Sequence, residues 1–319
     1  MKKAPILVTV HTRFDHFKSC INSLLRCPEA KYTNLFISSD FQRNEEEKVK
    51  VDLIRNYVKT IKGFKSVTPI FFKKNVGIEY ASHYSVNKVF ENYDQIIMLE
   101  DDVEVSPFFL NYINRGLDFY KNDTRIFSIC GFSPFILRDN YTSENILCKN
   151  HVWNAWGFGT WKSKFSTFRD FRDSKDLLSH IKLDLEDRKF RRKLDDLSLE
   201  HFPHLFYSLR HKVKPEFDYL VGYYCLKNNF FNIYPSKSYT KNNGNDGRGL
   251  RAKKNTDISL KMKNEILFNE VIQFENFENL EFRTMPHYSR SRLVIFIKKV
   301  LIRFKLFKFG KFFFNFFTN

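Results

Sequence analysis

The sequence lacks the residue patterns that mark several common protein classes. Its five cysteines are odd in number and form no CxxC pair, which argues against both a disulfide framework and a zinc site. Neither GxGxxG nor GxxxxGK followed by Ser or Thr occurs, so neither a Rossmann dinucleotide site nor a P-loop is supported. No apolar stretch approaches the ~20 residues of a membrane-spanning helix.

The amino terminus also lacks the pattern of a secretory signal. The apolar run Ala4–Val10 is short and is followed by the polar residues His11, Arg13 and Asp15, whereas a signal peptide needs a longer uninterrupted apolar region. We therefore predict a cytoplasmic protein.

Basic residues are abundant and unevenly placed. The net charge is +17 over 319 residues, and residues 289–319 contain eight Lys or Arg and no acid. The remaining 288 residues carry 45 basic and 36 acidic side chains. Aromatic residues make up 17% of the chain, which is too apolar a composition for a disordered protein.

Apolar strand patterns alternate with amphipathic helical patterns through the first half of the chain. This alternation predicts an α/β fold with a mostly parallel, doubly wound sheet flanked by helices. The predicted strands are Ile6–Val10, Leu35–Ser39, Val67–Phe72, Gln95–Leu99 and Arg125–Cys130, and the predicted helices are Asp15–Leu25, Glu45–Ile61, Ile78–Phe90 and Pro107–Tyr120.

The most informative feature is an acidic trio, Glu100–Asp102, directly after the apolar strand Gln95–Leu99. Carboxylates at the carboxyl end of a buried parallel strand lie where open α/β sheets bind ligands. Such oxygen ligands suit Mg²⁺ or Mn²⁺, which often accompany phosphates. The alternative is that the acids only favour the dipole of a helix starting near Pro107.

The second half of the chain is less regular. The stretch Asn154–Trp161 is rich in Gly and Trp, and it either stacks on a sugar or base or forms a packed loop with buried Trp. Residues 171–200 are charged and helical in pattern, Phe217–Tyr219 opens an apolar helix that runs to about Lys227, and Phe231–Tyr234 is a further predicted strand. Residues 242–249 have the composition of a loop.

Taken together, these residues resemble inverting glycosyltransferases of the GT-A fold. The similarity is greatest to bacterial family 2-like sugar transferases related to the Golgi N-acetylglucosaminyltransferase, and it extends over roughly residues 5 to 254. The matching stretches are Pro5–Val8 with Arg13, Asn75–Gly77, Leu99–Phe109, Cys130–Phe132, Trp156–Lys162, Phe217–Tyr219 and Asn242–Gly244.

The resemblance implies a role for each candidate residue. Asp102 would hold Mn²⁺ or Mg²⁺ against the diphosphate of a nucleotide-sugar donor, and Glu100 and Asp101 would contact the nucleotide or sugar hydroxyls. Arg13 and Asp40 would lie along the nucleotide, although they could instead pair with each other. Asp218 would be the general base that takes the acceptor proton, although it could instead only cap its helix.

One departure from the group concerns the loop after Asn242–Gly244. Relatives carry Gly-x-Gly-Thr-His there, whereas this chain has Gly247–Arg251 with an arginine in place of the histidine. A guanidinium cannot bind a metal ion, but Arg251 could hold the diphosphate directly. Strict metal dependence is therefore open.

The carboxyl-terminal segment 289–319 interleaves its eight cations with nine Phe. We predict a glycosyltransferase domain at 1–288 and a basic amphipathic segment at 289–319 that binds an anionic membrane surface, which would place the protein on the inner face of the plasma membrane. The alternative is a helix packed on the domain or on a partner chain. The expected acceptor is a surface glycan or glycolipid such as lipopolysaccharide or lipooligosaccharide.

Two other functions compete with the enzyme. A catalytically inactive sugar-binding relative would keep the fold without the reaction. A nucleic-acid-binding protein is suggested by the net charge, but the body of the chain mixes both signs and a basic tail gives only nonspecific phosphate affinity. We therefore predict a metal-assisted transferase that has no nucleic-acid partner.

Overall fold

The computed structural model describes residues 3–134, 146–197, 201–244 and 267–283, together with the single residue Val300. The helices are α1 Phe14–Leu25, α2 Glu45–Thr60, α3 Ile78–Phe90, α4 Phe109–Phe119, α5 Lys162–Asp173, α6 Leu177–Glu186, α7 Arg188–Leu197, α8 His201–His211 and α9 Phe217–Lys227. The strands are β1 Ile6–Val10, β2 Asn34–Ser39, β3 Ser66–Phe71, β4 Gln95–Glu100, β5 Val103–Val105, β6 Ile126–Cys130, β7 Leu147–Asn150, β8 Phe158–Trp161, β9 Phe231–Pro235, β10 Thr240–Asn242 and β11 Glu281–Phe282. Short 3₁₀ turns lie at Ala30–Tyr32 and Phe277–Asn279.

A mixed sheet in the order β11-β7-β9-β6-β8-β4-β1-β2-β3 forms the centre of the molecule. Strands β3, β2, β1 and β4 are parallel neighbours, and β6 is parallel to β9. The predicted α/β class with a mostly parallel sheet flanked by helices is confirmed. Strand β1 and helix α3 have the predicted bounds, and the other predicted elements of the first half differ from the observed ones by one or two residues.

Strand periodicity explains how the sheet is buried on both faces. Alternate residues of a strand point to opposite sides of a sheet. Ile6 and Val8 of β1 accordingly belong to one apolar core together with residues of α1 and α4. Leu7, between them, packs in a second core with Val86 and Val89 of α3. Both flanking layers of helices are thus fixed by the same strand.

Strand β8 lies inside the Gly- and Trp-rich stretch and pairs antiparallel with both β4 and β6. The sequence predicted either a ligand-stacking stretch or a packed loop here, so the strand is a finding that neither alternative included. Gly157 precedes it at φ +85°, a conformation that favours glycine. A Cβ on Gly159 would lie 2.5 Å from Ile113 Cγ2 of α4, so the glycine allows helix and strand to pack closely.

A small two-stranded sheet forms where the main sheet ends. Strand β5 follows the acidic trio and pairs antiparallel with β10, with Asn242 opposite Val103. The pairing brings the chain after β10 back to the acidic trio across about 140 residues of sequence. This contact completes the site described below.

Within the described residues, no helix is both long and apolar enough to cross a membrane. The predicted segment 289–319 lies outside the described residues apart from Val300, and so does Arg251. The division at residue 288 therefore stays a prediction.

Candidate active site

Strand β4 delivers the acidic trio to the carboxyl edge of the parallel strands, as predicted. Glu100 is its last residue and lies opposite Thr9 of β1. Asp101 and Asp102 form the turn into β5, and they are only 4% and 7% exposed. Because β1 ends at the same edge, the loop after it is placed directly beside these carboxylates.

Arg13 follows β1 and pairs with two members of the trio. One guanidinium nitrogen, Nη2, donates to Asp101 Oδ1, and the other, Nη1, lies 2.7 Å from Asp102 Oδ2. The side chain is 26% exposed, whereas the two carboxylates are 6% and 7% exposed. No ion pair joins Arg13 to Asp40 among the described residues, so the alternative pairing of these two is wrong.

The crowding of carboxylates changes their proton affinities. Burial, together with the charges of Asp102, Asp218 and Asp101, raises the pKa of Glu100 from its ordinary value of 4.5 to about 8. Burial also raises the pKa of Asp101, from 3.8 to about 6, although the neighbouring Arg13 opposes this shift. Negative charge at this edge of the sheet therefore exceeds what Arg13 balances.

Asp218 lies in the first turn of α9, which begins at Phe217 and ends at Lys227 as predicted. The N-cap position of this helix is Glu216, so the alternative in which Asp218 is the capping residue is wrong. Asp218 is exposed, and its charge acts on the Glu100 carboxyl. The structure thus brings Asp218 to the same edge as the trio.

Asp40, which follows β2, has a different set of contacts. Its Oδ1 accepts hydrogen bonds from the backbone N–H groups of Phe41 and Val76, at 2.8 and 3.0 Å. Its Oδ2 accepts from the Gly77 N–H at 2.9 Å and from Asn75 Nδ2 at 3.2 Å. The carboxylate is 7% exposed, and three of its four hydrogen bonds hold the loop that leads into α3.

The last residue of β10 and the two residues after it also contact Asp102. Asn242 Nδ2 donates to Asp102 Oδ1 at 3.3 Å, and the backbone N–H of Asn243 donates to the Asp102 carbonyl at 2.8 Å. A Cβ on Gly244 would collide with Asp102 Oδ2. Sequence reasoning identified Asn242–Gly244 only as a weak match to the family, because the contact depends on long-range strand pairing.

The Trp-rich stretch contributes to packing more than to an open surface. Trp153 and Trp161 are buried at 5% and 8% exposure. Trp156 is partly buried, with its ring 4.6 Å from that of Phe132. The interpretation as a packed stretch with buried Trp is therefore right for Trp161, whereas Trp153 lies directly before the stretch.

The carboxylates at this edge could hold a divalent cation only if a bound substrate supplied further oxygen ligands. The described residues contain no group of three His, Cys, Asp or Glu side chains able to hold a metal ion. However, Asp101 and Asp102 are adjacent oxygen donors of the kind that Mg²⁺ and Mn²⁺ prefer, and Mg²⁺ is commonly held by one or two carboxylates plus substrate phosphates. The residues fit a site of that type.

Comparison with known proteins places the first part of the chain in context. Residues 1–146 match the model of the GNT-I family. No curated protein sequence matches the chain.

Several solved structures show a distant likeness. Staphylococcus aureus TarS is 9% identical with a TM-score of 0.37, covering 56% of this chain and 33% of its own. The mannosyltransferase PcManGT from Pyrobaculum calidifontis, in complex with GDP-Man and Mn²⁺, is 7% identical with a TM-score of 0.41, covering 70% and 69%. GalNAc-T7 with UDP, GalNAc and Mn²⁺ is 13% identical with a TM-score of 0.39, covering 53% and 37%. This chain thus spans about a third of TarS and of GalNAc-T7.

The family match includes the Arg13 loop, Asp40, the Asn75–Gly77 loop and the acidic trio, which are the parts that the sequence singled out in the first half of the chain. The predicted relationship to sugar transferases of the GNT-I family is therefore confirmed over residues 1–146.

Proposed function

We propose that this protein is a metal-assisted, inverting glycosyltransferase that moves a sugar from a nucleotide-sugar donor to a hydroxyl of a surface glycan or glycolipid. The observation that carries the proposal is the position of Asp218 at the carboxyl edge of the sheet, where its charge acts on Glu100 of the acidic trio. The match of residues 1–146 to the GNT-I family supports it independently.

In the proposed reaction the acceptor oxygen attacks the anomeric carbon of the donor sugar while the bond to the nucleoside diphosphate breaks. Asp218 accepts the proton of the attacking hydroxyl, because its carboxylate is exposed and its charge acts on the neighbouring Glu100 carboxyl. Glu100 and Asp101 bind the nucleotide or sugar hydroxyls. A displacement from the side opposite the leaving group inverts the anomeric configuration.

The diphosphate needs positive charge as it departs. Asp102 would hold Mn²⁺ or Mg²⁺, and a bound cation neutralises the charge of the leaving diphosphate. Arg13, already beside Asp102, supplies a permanent positive charge in the same place. Arg251, which lies outside the described residues, is proposed to do the same from the loop after Gly244.

Asp40 acts on the donor by positioning a loop. Its carboxylate holds Val76 and Gly77 through their backbone N–H groups, so the loop beside the nucleotide is fixed before the donor enters. Fixing a binding loop in advance lowers the entropy lost on association.

The proposed location of the acceptor is inferred from the composition of residues 289–319. The eight basic residues and nine Phe of 289–319 are the composition of an interfacial segment on an anionic leaflet. A transferase held there on the inner face of the plasma membrane would reach a lipid-linked acceptor such as lipopolysaccharide or lipooligosaccharide during its assembly.

The test is thermal unfolding of the full chain with a panel of UDP-, GDP- and CMP-sugars, each with and without Mn²⁺. A donor at about 100 times its dissociation constant stabilises the folded state by about 2.7 kcal/mol. We expect one donor to do so with Mn²⁺ present, and we expect the effect to disappear in Asp102→Asn. Glu104→Gln, on β5 next to the site, is the matched control and should respond as the wild type does.

Two results would change the proposal. Equal stabilisation with and without Mn²⁺ would mean that Arg13 and Arg251, and not a metal ion, neutralise the charge of the diphosphate. If no donor stabilises the wild type, the transferase is contradicted, and a sugar-binding relative without catalysis becomes the better description.

A further inference from the structure

A surface pocket of about 510 Å³ lies between helices α3 and α5, outside the acidic site. Both helices flank the same part of the sheet, where Phe90 of α3 contacts Phe165 of α5. The pocket lies toward the start of α3 and the end of α5, and the lining residues used below are Val76, Glu79, Tyr80, His83, Tyr84 and Arg172.

One wall of this pocket is an aromatic platform formed by Tyr80 and Tyr84. Their rings are stacked, with centroids 6.3 Å apart and an interplanar angle of 19°. Phe72 supports Tyr84 edge-on at a centroid distance of 5.5 Å. The tyrosines remain 58% and 39% exposed. Single exposed apolar residues are normal, but two parallel rings beside a pocket form a surface suited to a flat partner with an apolar face.

The polar wall is built around Arg172, which is only 6% exposed. Its guanidinium pairs with Glu79 and donates to His83 Nδ1 at 3.0 Å. Since a guanidinium only donates, that ring nitrogen is unprotonated. Burial and the charge of Arg172 both lower the pKa of His83, which keeps the ring neutral. The positive charge of Arg172 is balanced by Glu79, so the pocket suits a neutral polar ligand better than a phosphate.

The pocket is connected through its lining residues to neighbours of the candidate active site. The Arg172 guanidinium lies over the ring of Phe217 at 5.9 Å, and Phe217 is followed by the candidate base, Asp218. At the other end, the backbone N–H of Val76 donates to Asp40. The pocket is therefore separated from Asp218 by the partly buried ring of Phe217, and from Asp40 by a single hydrogen bond.

We propose that this Tyr80–Tyr84 pocket is the subsite for the acceptor saccharide, binding a neutral pyranose unit next to the one that is glycosylated. The C–H face of a pyranose stacks on the exposed side of this ring pair, and its hydroxyls meet Glu79 and the other polar groups of the pocket. The acceptor role rests on the proposed transferase function, whereas the binding of saccharide can be measured without any transfer.

The probes are lactose, cellobiose and maltose, titrated into the full chain and followed by saturation-transfer difference NMR. At least one disaccharide should bind the wild type. Removing one aromatic ring face typically weakens binding about three- to tenfold. We therefore expect the affinity for the disaccharide to fall by that factor in Tyr80→Ala and in Tyr84→Ala. Tyr80→Phe retains the ring and should bind as the wild type does.

Tyr32→Ala is the matched control, because Tyr32 is also an exposed tyrosine, at 60%, but lies in the turn before β2, away from the pocket. It should bind disaccharide normally. Donor affinity, measured separately by thermal unfolding with Mn²⁺, should be unchanged in all four variants.

Three outcomes would overturn the subsite: no disaccharide binds the wild type, binding survives in the Tyr80→Ala/Tyr84→Ala double variant, or Tyr80→Ala loses the nucleotide sugar instead of the disaccharide. Disaccharide binding that depends on Tyr80 in a protein that binds no donor would support the saccharide site and contradict only the transferase.

Discussion

The guanidinium of Arg13 lies between two buried carboxylates, with Nη1 2.7 Å from Asp102 Oδ2 and Nη2 donating to Asp101. The protein itself thus supplies part of the positive charge that these two acids require. A divalent cation held by Asp102 would compete with Arg13 for the same carboxylate. Donor binding is then expected to transfer Arg13 from the carboxylate to the diphosphate.

The first prediction concerns Arg13→Gln. Removing one partner of a fully buried pair costs ~3–5 kcal/mol, but the Arg13 side chain is a quarter exposed, so we expect a loss of about 2 kcal/mol in the free energy of unfolding at pH 7. Mn²⁺ should stabilise Arg13→Gln more than the wild type, because its competitor is gone. Urea unfolding with and without Mn²⁺ measures both effects.

Lys88→Gln is the control for Arg13→Gln, since it removes a cation from the exposed pair with Glu91 and should change neither stability nor the response to Mn²⁺. Equal stabilisation of Arg13→Gln and wild type by Mn²⁺ would mean that Arg13 and the metal do not compete.

The second prediction concerns Asp40→Asn. An amide has one carbonyl oxygen, so it cannot accept all four hydrogen bonds from Phe41, Asn75, Val76 and Gly77. Leaving a buried N–H without an acceptor costs ~1–3 kcal/mol, and we expect a loss of that size in urea unfolding. Donor affinity should fall as well, because the loop before α3 is released.

Asp118→Asn, a change on the exposed end of α4, should alter neither property. A large loss of donor affinity in Asp40→Asn with unchanged stability would contradict the positioning role and would indicate that Asp40 contacts the nucleotide directly.

Local sequence patterns predicted the helices and strands that are determined by the spacing of apolar residues along the chain. Strand β1 and helix α3 were predicted with the correct bounds because alternation and helical spacing are strong in both. Strand β8 was not predicted, because four residues that include a glycine give no usable period. Strand β5 is shorter still, with three residues.

The candidate site was predicted in part for a similar reason. Parallel strands end at one edge, so the meeting of Arg13 with Glu100–Asp102 follows from the order of the elements. The contacts of Asn242 and Gly244 with Asp102 depend on the pairing of β10 with β5. No local pattern encodes a pairing between segments so far apart, and the role of Asp40 as an anchor for its loop was likewise visible only in three dimensions.

The third prediction is a pH dependence of stability. The pKa of Glu100 is raised from 4.5 to about 8 and that of Asp101 from 3.8 to about 6. The folded state therefore binds more protons than the unfolded state between these values, so the free energy of unfolding falls as the pH rises from about 5 to about 8. Each affected group contributes at most about 1.4 kcal/mol per pH unit.

Urea unfolding of wild type and Glu100→Gln at pH 5, 6, 7 and 8 measures this slope, which should be clearly smaller in the variant. Glu47→Gln is the control: hydrogen bonding to Arg43 lowers the pKa of Glu47 to about 2, so its contribution is constant over this range. A wild type whose stability rises from pH 5 to pH 8 would contradict the burial of charge at Glu100.

The last prediction concerns Asp218→Asn. An amide cannot take the acceptor proton, and removing a general base typically lowers the rate by about 10²–10⁴-fold. Because Asp218 is exposed on the first turn of α9, stability and donor affinity should change little, and the loss should appear in kcat with a pH profile that no longer rises with deprotonation of a base. Asp176→Asn, at the exposed start of α6, should keep full activity. Product formation with the donor found by thermal unfolding measures the rate, and an active Asp218→Asn would mean that another group removes the proton.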